Sequence, residues 1–314
     1  MANVRPMVWL ASFMAALLLV ETALAQSQDY DELQRWCFGR ASNDDEVVQG
    51  CNAVLLAGRD TPENLAAALS NRAGVFHSRK QYDRAMADYS QAIRLNPGFA
   101  VLYNNRSSVH AALGNYLQAI RDLDEAVRLQ PRYAIAFYNR GYTYASMDEF
   151  ERAIEDFSES IRLNSGQPQP FVGRGNAFYR LRAFDQAIAD YDRALKLDPR
   201  DADVLYSRAL SYVNKDDQDR AIQDLGEAIR LDPQHFGAII NRGIAYIKKG
   251  QQDLAIADFD MAEKLLPGAA AALFGRGVAR RRKGDLAGGD AEISAALRKD
   301  PKIAESMAAS GIRP

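Results

Sequence analysis

The chain is poor in the residues that carry most catalytic and metal chemistry. Its 314 residues include three histidines, His77, His110 and His235, and two cysteines, Cys37 and Cys51. The histidines are scattered, with no paired nucleophile and no metal-ligand spacing, and there is no Gly-rich phosphate loop. These absences argue against an enzyme and give no reason to expect a cofactor or a metal. An excess of one charge is missing too. The 39 basic and 41 acidic side chains leave a net charge of −2, so nothing asks for nucleic acid or another polyanion as partner. Long apolar runs are also absent, since Met7 to Val20 spans 14 residues, short of the ~20 that a membrane-spanning helix needs.

That run nevertheless has a use. Arg5 precedes it, Glu21 interrupts it, and Ala23-Leu24-Ala25 supplies a small-x-small cleavage pattern, so residues 1–25 read as a secretory signal peptide. The mature chain is expected to start at Gln26, in the periplasm or outside the cell. Gln26 is not a cysteine, which gives no hint of a lipid anchor. Two cysteines in an exported chain deserve notice, because an oxidising compartment lets them pair.

What the sequence has in abundance is periodicity. Arginine recurs at 72, 106, 140, 174, 208, 242 and 276, always at a step of 34. Proline keeps the same step at 97, 131, 199, 233, 267 and 301, with Ser165 in the one vacant place. Residues 66–303 are therefore seven units of 34 residues. Residues 26–65 precede them and 304–314 follow as a short tail. Within the third unit, Phe150, Ala153, Ile154, Phe157, Ile161 and Leu163 approximate one buried helical face. Each proline cannot continue a helix and so marks a linker. One helix pair cannot bury its own face, so stability must come from stacked neighbours.

The third unit places Phe137, Gly141, Tyr144, Ala153, Phe157 and Ser160 at 34-residue register, and the fourth has Gly175, Phe178, Ala187, Tyr191, Ala194 and Pro199. This pattern resembles the tetratricopeptide repeat. The resemblance implies an all-α fold, a right-handed superhelical solenoid of antiparallel helix pairs. It also extends to an exported bacterial subtype whose units read Asn-Arg-Gly early and Ala-Ile-x-Asp-Tyr late. For function it implies a scaffold or adaptor that binds a protein or peptide on its concave face. A periplasmic chaperone-like holder and a self-associating solenoid are the alternatives.

Seven arginines at one register invite an anion-binding reading, but an acid follows each by 16 residues: Asp88, Asp122, Asp156, Asp190, Asp224, Asp258 and Glu292. A repeated internal ion pair is the economical reading. Arg280 to Lys283 form a basic run that more often marks a solvated helix end.

In the family, recognition residues lie on the first helix of each unit. Here one such register reads Ser70, Asn104, Tyr138, Val172, Tyr206, Ile240 and Phe274, and another reads Gly74, Ser108, Tyr142, Asn176, Leu210, Ile244 and Val278. The trend runs from polar to apolar. Tyr138, Tyr142, Tyr179, Tyr206, Ile240 and Phe274 are accordingly expected to contact the partner. The competing reading is that neighbouring units cover them. Asn71, Asn105, Asn139 and Asn241 either grip a peptide backbone or tie adjacent helices. Ser70 and Asn104 depart from the carboxylate-clamp pattern, which puts capture of a C-terminal carboxylate in doubt.

Residues 32–65 can be laid in the same register as a degenerate unit, with Gly39 and Cys51 at close-contact places. A Cys37–Cys51 bridge across a helix hairpin would staple this end unit. Two free buried thiols or a redox pair compete with it, although no Cys-x-x-Cys is present. The tail 304–314 reads as too short for a robust further helix.

Overall fold

In the computed structural model residues 29–313 are described, and every regular element among them is helical. The expected signal peptide 1–25 and the start at Gln26 lie outside the described residues. No helix among the described residues is long and apolar enough to cross a membrane. The chain divides into two compact units, one ending at Met147 and one beginning at Asp148.

In the first unit a helix over 29–35 runs into a π-type turn, Trp36–Arg40. There follow α1 (Asp44–Ala57), α2 (Pro62–Ser78), α3 (Tyr82–Leu95), α4 (Ala100–Ala112), α5 (Tyr116–Leu129) and α6 (Ala134–Ser146). The second unit holds α7 (Phe150–Leu163), α8 (Pro168–Arg180), α9 (Phe184–Leu197), α10 (Ala202–Asn214), α11 (Gln218–Leu231), α12 (Phe236–Lys248), α13 (Gln252–Leu265), α14 (Ala270–Arg282), α15 (Leu286–Lys299) and α16 (Ile303–Ala309). Within each unit, every helix packs on the one before it. First helices also touch first helices: α2 meets α4, α4 meets α6, α8 meets α10 and α12 meets α14.

The second helix of every pair is amphipathic for the same reason. In α9 the buried residues are Ala187, Asp190, Tyr191 and Ala194, and in α13 they are Ala255, Asp258, Phe259 and Ala262. That is the i, i+3, i+4, i+7 stripe of a helix with one buried face. The aromatic in the stripe sits where the first helix has no side chain. A Cβ on Gly175 would lie 2.8 Å from the Tyr191 ring, and one on Gly243 would lie 2.9 Å from the Phe259 ring.

A tight turn joins the two helices of each pair. Lys80, Gly114, Asp148, Arg182, Asp216, Gly250 and Gly284 all take left-handed φ, between 58° and 98°, at the 34-residue step. Glycine adopts this conformation freely, and other residues do so at a cost of roughly 1–2 kcal/mol. The turns at Lys80, Arg182 and Asp216 therefore hold a non-glycine residue in this conformation between two packed helices.

Two expectations about the ends are corrected. Residues 303–309 do form a helix, and Ile303, Met307 and Ile312 are buried in the core of the second unit. Burial of these apolar side chains supplies what a seven-residue helix cannot supply alone. At the other end Gly39 is not a close-contact residue but takes φ +112° at the end of the π-type turn. The close approach belongs to Gly50, where a Cβ would lie 2.7 Å from the Cys37 backbone nitrogen. Cys37 and Cys51 are bonded to each other, with Cα atoms 4.6 Å apart, and both are buried.

Candidate protein-binding face

The arginine ladder is consumed internally. Arg72, Arg106, Arg174, Arg208 and Arg242 each donate from Nε and Nη2 to both oxygens of Asp88, Asp122, Asp190, Asp224 and Asp258, at 2.6–2.9 Å. Arg276 instead donates to both oxygens of Glu292 from Nε alone, at 3.0 and 3.1 Å. The five aspartates are buried, and their hydrogen bonds raise the Arg106, Arg208 and Arg242 guanidinium pKa values. The remaining Nη1 reaches back to the preceding second helix. It meets Ser90 from Arg106, Asp124 from Arg140, Ser158 from Arg174, Asp192 from Arg208 and Asp260 from Arg276. Arg140 belongs to the first unit and Asp156, also buried, to the second.

The basic run is likewise engaged. Arg280 pairs with Glu292 at 3.1 Å, Arg281 with Asp290 and Lys283 with Asp253, while Arg282 donates to the Ile247 carbonyl.

The first helices leave an opening in the first unit. Small side chains on α2, at Ser70, Gly74 and Ser78, together with Asn71, Asn105 of α4 and Phe38, line an open concavity of about 610 Å³. A Cβ on Gly74 would have only the Tyr89 hydroxyl near it, at 3.8 Å. Polar groups and one half-exposed aromatic ring thus meet around an unfilled surface. The polar start of the recognition registers, Ser70 and Gly74, carried this signal in the sequence. The contribution of Phe38 did not show, because it depends on the π-type turn.

The six side chains expected to contact a partner do not share one environment. Tyr138 and Tyr142 lie together on α6 of the first unit. Tyr142 is 60% exposed, and burial first, then Tyr142, pushes the Tyr138 hydroxyl pKa up. Tyr179 and Tyr206 are neighbours in the second unit, where burial and then Tyr179 raise the Tyr206 pKa. Both are structural ties: the Tyr179 hydroxyl accepts from Asn214 and the Tyr206 hydroxyl from Asn241, each at 3.2 Å. Tyr206 also packs on His235, with ring centroids 4.6 Å apart. Ile240 and Phe274 are enclosed. They are 7% and 0% exposed and fill the core where α12 and α14 pack together.

The asparagines divide in favour of tying. Asn71 donates to the Cys37 carbonyl at 3.0 Å, Asn139 to Asn104 Oδ1 at 2.8 Å and Asn241 to Tyr206. Asn105 accepts from Asn104 at 3.2 Å and lines the concavity. Among the described residues, no group of three His, Cys, Asp or Glu side chains is placed to hold a metal ion.

Comparison with known proteins agrees with the helix-pair fold. Models of the tetratricopeptide repeat match residues 66–99, 134–166, 172–236 and 240–304, and a further TPR repeat model matches 108–148. No curated protein matches the chain. Among solved structures, the C-terminal part of a TPR repeat-containing protein from Cytophaga hutchinsonii aligns with a TM-score of 0.63 at 18% identity, covering 78% of this chain and 99% of that one. A tetratricopeptide repeat protein from Parabacteroides merdae aligns at 0.57 and 18% identity over 86% and 99%. YrrB, described as a TPR protein with an unusual peptide-binding site, aligns at 0.53 and 23% identity over 59% and 95%. From its helix pairs, its 34-residue register and these matches, the chain belongs to the tetratricopeptide-repeat family.

Proposed function

We propose that this chain is an exported, non-enzymatic scaffold that holds a partner protein or peptide on the face formed by its first helices. The observation that carries the reading is the unfilled concavity around Ser70, Asn71, Gly74 and Asn105, because internal packing accounts for the other conspicuous residues. Backbone amides of an extended partner would find the asparagine and serine side chains there, and Tyr142 offers an exposed ring farther along the same unit. YrrB, with its peptide-binding site, is a precedent within the fold. Export rests on the signal-peptide pattern of residues 1–25 and is supported by the Cys37–Cys51 bond, which an oxidising compartment maintains. The periplasm suits both.

The test is cross-linked capture from an envelope fraction with protein starting at Gln26, comparing wild type with Gly74→Trp and Tyr142→Ala. A defined partner lost from either variant, with melting unchanged, supports the reading. Equal recovery by all three proteins removes it.

A further inference from the structure

The inner face of the last two helix pairs is apolar and already occupied. Ile240, Ile244 and Ile247 of α12 and Phe274 and Val278 of α14 share one core with Ile303, Met307 and Ile312. One 34-residue step after Leu273, Gly277 and Val278 come Met307, Gly311 and Ile312. Segment 303–313 therefore starts as another first helix, but its helix stops at Ala309. Gly311 takes φ +85°. The Gly311 and Ile312 amides donate to the Ala308 and Met307 carbonyls at 2.9 and 3.0 Å, closing the helix end.

The turn carries the chain inward. The helix of the segment packs on α14 and α15, and after it a Cβ on Gly311 would lie 2.8 Å from Lys248 Cε of α12. Ile312 is fully buried there.

What holds the segment differs from what holds the repeats. Ser310 stands one step after Arg276, where the ladder would need an arginine. Among the described residues no ion pair joins 303–313 to the rest, and the hydroxyl of Ser310 bonds only within the segment. Three apolar side chains oppose the conformational entropy of ordering eleven residues, and a helix this short has no stability of its own.

We propose that segment 303–313 is an internal ligand on a helix-binding face formed by α14 and α15 and edged by α12, and that it gives way to a short amphipathic helix of a partner protein. The partner helix would carry apolar residues spaced as Ile303 and Met307, with a third just beyond its end, as Ile312 is here. The spacing is argued from the occupant the face already accepts. The proposal rests on the scaffold reading above but uses a different surface, so the Gly74→Trp capture experiment can succeed or fail independently of it.

Native-state hydrogen exchange on the full chain provides the first test. Amides of 304–312 should exchange at least roughly tenfold faster than those of α12 and α14, as a separately opening segment must. Co-exchange of all three would make the segment an integral part of the core and overturn the proposal. The second test titrates a labelled peptide of residues 300–314 into wild type and into Ile312→Asp. Lifting the internal ligand should tighten peptide binding by roughly tenfold or more, since the competent state is no longer rare. No saturable binding to a variant with unchanged helicity would overturn the proposal. A concentration-dependent dimer of wild type without peptide would assign the face to a second copy and also overturn it.

Discussion

Arg208 holds Asp224 with two parallel bonds, Nε to Oδ2 at 2.8 Å and Nη2 to Oδ1 at 2.7 Å. Its third nitrogen reaches Asp192 of the preceding second helix at 2.6 Å. One guanidinium thus joins α10, α11 and α9. Asp224 is 6% exposed, while the Asp192 side chain is 43% exposed. The two acids should differ sharply in what they contribute. Asp224→Ala takes the bidentate partner from a largely buried guanidinium and leaves it only the more exposed Asp192, and should cost about 3 kcal/mol. Asp192→Ala should cost no more than ~1 kcal/mol. Urea denaturation of both variants checks the difference, and equal losses would mean the burial of Asp224 is unimportant.

Among the described residues Arg242 Nη1 has no hydrogen-bond acceptor. Gly226 stands where the neighbouring pairs have Asp192 and Asp260, and a Cβ there would lie 3.6 Å from Arg242 Nη1. Gly226→Ser should therefore complete the ladder. A new hydrogen bond contributes about 0.5–1.5 kcal/mol, and removing a glycine from a helix interior adds to it. The expected result is a higher melting temperature, and a lower one would show that the site has no room for the hydroxyl.

Gly175 and Gly74 are both helical glycines, yet only one is crowded. The Tyr191 ring lies 2.8 Å from a Cβ on Gly175, and its hydroxyl is tied to Asn176 at 2.7 Å. Gly175→Ala should therefore cost roughly 1–3 kcal/mol through overpacking. Gly74→Ala meets only the Tyr89 hydroxyl at 3.8 Å and should be neutral or stabilising by up to ~1 kcal/mol. Thermal melting of the pair measures the contrast.

His110 gives a pH dependence with a definite sign. Burial lowers its pKa, opposed by Asp122 at 3.8 Å and assisted by Arg106 and Arg121. A histidine depressed in the folded state is protonated first in the unfolded chain. Its contribution is complete above the ordinary value of about 6.5 and is lost as pH falls below it. Between pH 7.5 and 5.0 the urea midpoint of wild type should fall further than that of His110→Asn. An equal fall would place the acid sensitivity elsewhere.

Much of the fold was legible because its signal repeats. The 34-residue step exposed the helix pairs, and the acid 16 residues after each arginine exposed the bidentate pairs. The third arginine contact was also within reach, since Ser90, Asp124, Ser158, Asp192 and Asp260 keep the same step. The left-handed turns were hidden because Lys80, Asp148, Arg182 and Asp216 alternate with glycine there. Arg182 shows why: its left-handed φ lies between the packed helices α8 and α9 and is not a local preference of arginine.

The face was harder to read. A register shows that Tyr142 and Phe274 both lie on first helices, but not that Tyr142 is left open while α12 and α14 enclose Phe274. Exposure there depends on how closely neighbouring first helices approach. Segment 303–313 was misread for a related reason, because its helix depends on a core built by distant residues.

The central claim is that a partner lies against the open first-helix face of the first unit. The most direct measurement is photo-crosslinking in the envelope with a reactive side chain placed in turn at Ser70, Ser108, Tyr142 and, on a second helix of the other unit, Leu254. A discrete adduct from the first three positions and none from Leu254 is expected; adducts from Leu254 alone, or the same adducts from all four, would contradict the account.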